Sequence, residues 1–256
     1  MKTVKFILLS LLVCGTVSAK VKVTLQSGVT RDISSLTVKD GRLLLPPENT
    51  QTPLAQVALV EFAFDGFSIE QCRNLFDQGD YAGIVRKLAN EKSSLMAAAL
   101  LQGNASDWLR MLFRAQFHSG DVAAMRSTVQ ALRTVGSPLA VEAVPYEILA
   151  LIEDNRIAEA ANAFNALRAS NDNAAAEFIR ARLALAGANY KEALQHLARL
   201  QAFHYREQEW MPNVLFYEGL ASKQADMPEA VGFAVRELET LYPASRWCQI
   251  AKDQLK

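Results

Sequence analysis

Gly187-Ala188-Asn189-Tyr190-Lys191-Glu192-Ala193 closes one helical run and opens the next. Small and polar residues make the turn, an aromatic residue opens the following helix, and alanine stands three residues on, on the same helical face. Weaker copies of this joint open at Tyr81, Val122, Ile157 and Met227, so successive openings are 41, 35, 33 and 37 residues apart. Each follows a turn containing Gly, Asn or Asp: Gly79-Asp80, Gly120-Asp121, Asp154-Asn155 and Asp226. A period of this size predicts stacked helix pairs over most of the chain.

Packing explains the pattern. Three residues past the openings stand Ile84, Met125, Ala160, Ala193 and Ala230; seven past stand Leu88, Val129, Phe164, Leu197 and Ala234. These offsets share one face of a helix. A small residue at the first lets two helices approach, and a larger one at the second fills the groove behind. Because a helix pair cannot bury its apolar face alone, neighbouring pairs must share it.

On these residues, 68–256 resemble a degenerate tetratricopeptide-repeat array. Ile157-Ala160-Phe164 and Tyr190-Ala193-Leu197 match well and Met227-Ala230 less closely. Ile84 and Met125 depart from the small-residue rule, leaving a related helical-repeat class open for the first repeats. The spacing of 41 predicts an extra short helix around Leu95 to Gln102. Leu241-Tyr242-Pro243-Ala244-Ser245 is similar to the close of repeat proteins of bacterial envelopes, among them the Tol–Pal cell-division coordinator and outer-membrane assembly lipoproteins. Pro243 is expected to stop one helix and Ser245 to cap the next. The resemblance implies a repeat groove that holds another protein or a peptide, in a bacterial envelope.

Ahead of the helices the period is two. Val21, Val23 and Leu25 alternate with polar residues, and Lys39-Asp40-Gly41 sits between short apolar runs as a hairpin turn. Pro46-Pro47 ends the second of those runs, and Gln56 to Phe64 is again extended and apolar. Residues 20–66 therefore read as a small antiparallel β module of four or five strands, a curled sheet or small barrel leaning on the first helices. Ser68-Ile69-Glu70-Gln71 has the capping-box arrangement that opens the helical region, residues 67–256. The fold class expected is mainly α, a helical-repeat solenoid with an N-terminal β module.

Residues 1–19 read as an export signal: Lys2 and Lys5, an apolar stretch from Phe6 to Val13, then Val17-Ser18-Ala19 as a cleavage pattern. Cys14 follows Leu11-Leu12-Val13 as in a lipoprotein site, but Val13 is larger than such sites place before the cysteine, so the soluble form is expected. The apolar run falls short of the roughly 20 residues that span a bilayer. The chain carries 27 basic and 27 acidic side chains; without Lys2 and Lys5 the balance is 25 against 27. Interspersed charge of this kind argues against a nucleic-acid surface. Cys72 and Cys248 stand near opposite ends of the helical region and are expected as free, buried thiols.

The search for chemistry returns no catalytic, cofactor or metal residues. The three histidines, His118, His196 and His204, lack metal-ligand spacing, and His118 is expected at a helix C-terminus. Gly-rich phosphate loops and nucleophile elbows are absent from the sequence. Cys72 near a helix start and the carboxylates Glu207 and Glu209 read as ordinary helix residues. Asn104-Ala105-Ser106 forms a sequon, with Ser106 expected to cap the helix through Trp108. The segment Phe203-His204-Tyr205-Arg206-Glu207-Gln208-Glu209-Trp210-Met211-Pro212 is either a recognition edge or a long connection packing under the next helix, and packing is preferred. The function expected is a non-enzymatic, exported interaction scaffold, with an enzyme site between β module and repeats, or a self-assembling protein, as alternatives.

Overall fold

The computed structural model describes residues 19–45, 50–167 and 173–255. The export signal, Cys14 and the Pro46-Pro47 stop lie outside them, except that Ala19 opens the first strand, buried opposite Phe64.

The β module has six strands in two three-stranded antiparallel sheets, a correction to the four or five strands of one curled sheet or small barrel that were expected. Strands β1 (Ala19–Leu25), β2 (Thr30–Ile33), β3 (Thr37–Lys39), β4 (Arg42–Leu45), β5 (Thr50–Pro53) and β6 (Val57–Phe64) follow in chain order. One sheet has the order β2-β1-β6 and the other β3-β4-β5. Val21 and Val23 point into the core while Lys20 and Lys22 face out, as the alternation predicts. The β3–β4 hairpin turns through Asp40 and Gly41, both at positive φ, the geometry for which Asp-Gly is favoured.

The chain is otherwise helical: α1 (Ile69–Asp77), α2 (Tyr81–Leu88), α3 (Lys92–Ala97), α4 (Ala105–Ser119), α5 (Val122–Thr134), α6 (Leu139–Glu142) and α7 (Val144–Glu153). Then come α8 (Ile157–Ala166), α9 (Ala174–Ala186), α10 (Tyr190–Phe203), α11 (Met211–Gln224), α12 (Pro228–Leu241) and α13 (Arg246–Gln254). Ser68 and Gln71 form the capping box on α1, and α3 supplies the extra short helix, beginning slightly earlier than expected. Ser245 caps α13 after Pro243.

The joints themselves repeat. Gly79, Gly120, Asn155, Ala188 and Asp226 are all left-handed, each two residues before the helix it precedes. At four of these joints the next residue's N–H bonds back five residues at 2.9 Å: Asp80 to Leu75, Arg156 to Leu151, Asn189 to Ala184 and Met227 to Ser222. This is the six-to-one bond of the Schellman close, which satisfies a terminal carbonyl and reverses the chain. Four of the five openings are first residues of helices. The last is displaced by one: α12 begins at Pro228, so Val231 and Val235 are buried in place of the expected pairing of Ala230 with Ala234, although Ala234 is buried too. Proline accounts for the shift, because it fits the first helical turn where its missing N–H leaves nothing unpaired. Ile84, Met125, Ala160 and Ala193 are fully buried.

The module docks on the helices through Trp108 of α4, whose ring meets Phe64 edge-on at 4.7 Å and Phe67 at 5.7 Å. Beside it, residues 102–104 act as a short extra pairing segment for β6. The Val60 N–H donates to the Gln102 carbonyl at 2.8 Å, and the Asn104 side chain both accepts from the Phe62 N–H and donates to the Phe62 carbonyl. Ser106 therefore does not cap α4; it lies inside the helix, which starts at Ala105 after Asn104. Glycan attachment at Asn104 Nδ2 would break the bond to Phe62.

At the other end the chain turns back on itself. A Cβ on Gly79 would lie 3.1 Å from the Ser245 Cβ, and Arg246 lies against Gly120 and reaches Glu153 of α7. Cys72 and Cys248 are nonetheless free, and both are buried.

Candidate functional site

The segment expected to be odd, 203–212, is where elements distant in sequence converge. A single helical turn over Gln208–Trp210 sends Glu209 and Trp210 inward, against α4, α7 and α9. The Glu209 carboxylate takes a two-point ion pair from Arg114, through Nε at 2.9 Å and a second contact from Nη2. His118 Nε2 lies 2.8 Å from Glu209 Oε1, and the Tyr146 hydroxyl donates to the same oxygen at 2.7 Å. The Tyr81 hydroxyl donates to the Glu209 backbone carbonyl at 2.8 Å. Aromatic rings enclose the group: Tyr81 stacks on His118, Tyr146 on Trp210, and Phe178 meets Trp210 from α9.

The electrostatics follow from the packing. Burial opposes ionisation of Glu209, but the Arg114 guanidinium and the His118 hydrogen bond outweigh it and hold the carboxyl well below the usual carboxylate range. Burial would lower Arg114, yet Glu209 overrides it and raises the guanidinium further. Burial and then the Glu209 charge push both Tyr81 and Tyr146 up, so they remain neutral donors. The result is a clasp in which each charge has a partner. Glu209 is buried at the inner wall of a cavity, and its carboxylate oxygens are taken up by Arg114, His118 and Tyr146.

Of the residues weighed from the sequence, His118 sits at the end of α4 but its role is the bond to Glu209, which sequence reasoning missed. Glu209 was read as an ordinary helix carboxylate and is instead the most enclosed acid of the segment. A signal was present in Arg114 and His118, four apart on a helix rich in large apolar residues, which call for an acidic partner. His196 pairs with Glu177 at 2.8 Å and His204 with Glu207 at 3.3 Å, neither of them bonded to Glu209. Among the described residues no group of three His, Cys, Asp or Glu side chains converges as metal ligands would. Burial pushes the Cys72 thiol up to about 12, which keeps it protonated and unreactive at neutral pH.

The same segment has an outward half. Phe203 is 74% exposed and Tyr205 55% exposed, and the Arg206 guanidinium lies over the Tyr205 ring. Next to them opens a cavity of about 310 Å³ whose charged lining is Arg73, Asp77, Arg114, Arg206, Glu207 and Glu209, with Phe76, Met111 and Gln208 completing it. A second cavity of about 620 Å³ lies where β6 meets α1 and α4, and its lining holds no histidine, cysteine or basic side chain. There Asn104 is engaged by Phe62 and Ser68 by the α1 cap.

No helix among the described residues is long and apolar enough to cross a membrane. Comparison of the chain with protein-family models, with curated proteins and with solved structures returns no match.

Proposed function

We propose that this chain is a non-enzymatic, exported helical-repeat scaffold that holds a partner protein, and that the partner is met at the rim formed by Phe203, Tyr205 and Arg206. The observation that carries the reading is the division of one connection into two halves. Glu209 and Trp210 fill the face shared by α4, α7 and α9, so that face is covered by the chain itself. Phe203 and Tyr205, in the same connection, stay in solvent beside an arginine. Large aromatics and arginine on a fixed support are the residues that anchor interfaces. This moves the expected contact from the repeat groove to its edge.

The alternative of an enzyme site between β module and repeats finds less support, because the one hydroxyl lining the cavity there, Ser68, is taken up by the α1 cap. Self-assembly has one observation in its favour: Met227, Phe233 and Leu241 are all exposed on or beside α12, towards the C-terminal end of the stack. Light scattering checks that reading directly.

The test of the main proposal is affinity capture from native envelope extracts with the wild-type chain and with the Phe203→Ala/Tyr205→Ala double variant. A protein retained by the first and lost by the second, at equal stability, supports the rim. Equal recovery with both removes it.

A further inference from the structure

We infer that the cavity beside the rim is a receptor for a single carboxylate group presented by the partner, with Arg73 and Arg206 as its recognising cations. The inference rests on the rim being the contact edge, and it supplies the chemistry of what is recognised there.

The charges decide it. Arg114 contributes to the lining, but its guanidinium is already committed to Glu209 by two contacts. Glu207, also in the lining, has His204 at 3.3 Å. Arg73 and Arg206 make no ion pair among the described residues; Arg206 donates only to the Tyr205 hydroxyl at 3.1 Å. Arg73 projects from α1 and Arg206 from the connection, so the two come from different elements to one cavity. Unpaired guanidinium groups converging on a concave site are suited to a planar, two-oxygen acceptor, which they bind through paired N–H donors.

The remaining lining sets the valence. Asp77 and Glu207 keep negative charge at the same cavity, and with Glu209 set against Arg114 the lining holds three arginines to three carboxylates, a balance that opposes a doubly charged phosphate more strongly than a single carboxylate. Phe76 and Met111 give apolar surface for the carbon atoms next to the carboxylate. A volume of about 310 Å³ is at the lower end of small-ligand sites, the size of a side chain or chain terminus and not of a folded element.

The experiment is a titration of the intact chain followed by the arginine Nε–Hε signals in NMR at fixed ionic strength and neutral pH. The probes are acetate, N-acetylglycine, N-acetylglycinamide and inorganic phosphate. Saturable shifts at Arg73 and Arg206 with the carboxylates and none with the amide are expected. Equal affinity for acetate and N-acetylglycine points to a free small carboxylate; tighter binding of N-acetylglycine points to a chain terminus. Arg73→Gln and Arg206→Gln, both at exposed positions, should each weaken binding by about tenfold, the loss of one charge-assisted contact. Asp77→Asn should tighten it, an effect that general loss of structure would not produce. No saturable shift, phosphate binding tighter than the carboxylates, or shifts unchanged in the arginine variants would overturn the inference. Because the titration uses no partner, its failure leaves the capture result with the rim variant standing on its own.

Discussion

Glu209 and Arg114, 95 residues apart in the chain, form a two-point ion pair whose carboxylate is buried. It joins the connection before α11 to α4, and through Tyr146 and Tyr81 to α7 and α2. An array whose repeats met only their neighbours would come apart one pair at a time; this clasp ties the early repeats to the late ones.

Removing one partner of such a pair exposes the cost of the other. Glu209→Gln leaves Arg114 without its counter-charge and should cost about 3–5 kcal/mol in urea unfolding. Replacing Arg114 by Met in the same background should cost little more, because no buried charge then remains unpaired.

The pair also sets the response to acid. A carboxyl held below its unfolded value stabilises the fold above that unfolded value, about pH 4.3, and the contribution is lost as pH falls further toward the depressed folded value. Glu177 acts in the same direction, since His196 and the neighbouring arginines outweigh its burial. Stability measured by denaturant melts should therefore hold steady from neutral pH to about pH 5 and fall below it. In Glu209→Gln the fall should be visibly shallower; an identical slope would remove Glu209 from the account.

The joint between module and helices depends on Gly103. Its φ is +142°, and a Cβ there would lie 1.7 Å from the Val60 carbonyl oxygen. Gly103→Ala should cost more than about 1–3 kcal/mol, since it combines backbone strain with a clash. Gly28→Ala is the matched comparison: Gly28 is also left-handed, at +83°, but has open space around it, and should lose only about 1 kcal/mol. Thermal melts of the two variants read the difference.

Within the repeat, Ala193 is fully buried where α10 meets α9 and α11. Ala193→Trp should overpack that contact and cost about 1–3 kcal/mol in a thermal melt. Ala188, left-handed without being glycine, is the opposite case. Ala188→Gly relieves the strain of a Cβ in that region and should leave stability unchanged or raise it by up to about 1 kcal/mol.

Much of this architecture was legible because the joints are local. Gly79-Asp80, Gly120-Asp121 and Asp154-Asn155 announce left-handed turns from a few residues, and Ser68 and Ser245 announce caps in the same way. The two-sheet division of the β module was not legible, because strand pairing is set by partners that the alternation of Val21 and Val23 does not name. Ser106 misled as a cap because the residue that precedes the helix, Asn104, turns its amide to Phe62, 42 residues away, a partner that the local sequence does not name. Glu209 was hidden because its own neighbours do not name the arginine, the histidine and the two tyrosines that α4, α7 and α2 bring to it; the one hint lay on α4, in Arg114 and His118.

The central claim is that residues 203–210 divide into a half that holds the fold and a half that faces a partner. Urea unfolding of Trp210→Ala beside Phe203→Ala/Tyr205→Ala tests it most directly. Trp210→Ala should lose about 3–5 kcal/mol, as a buried indole does, and the rim variant should match wild type within about 0.5 kcal/mol. Trp210→Ala as stable as wild type, or a rim variant destabilised as severely as the tryptophan one, would contradict the division.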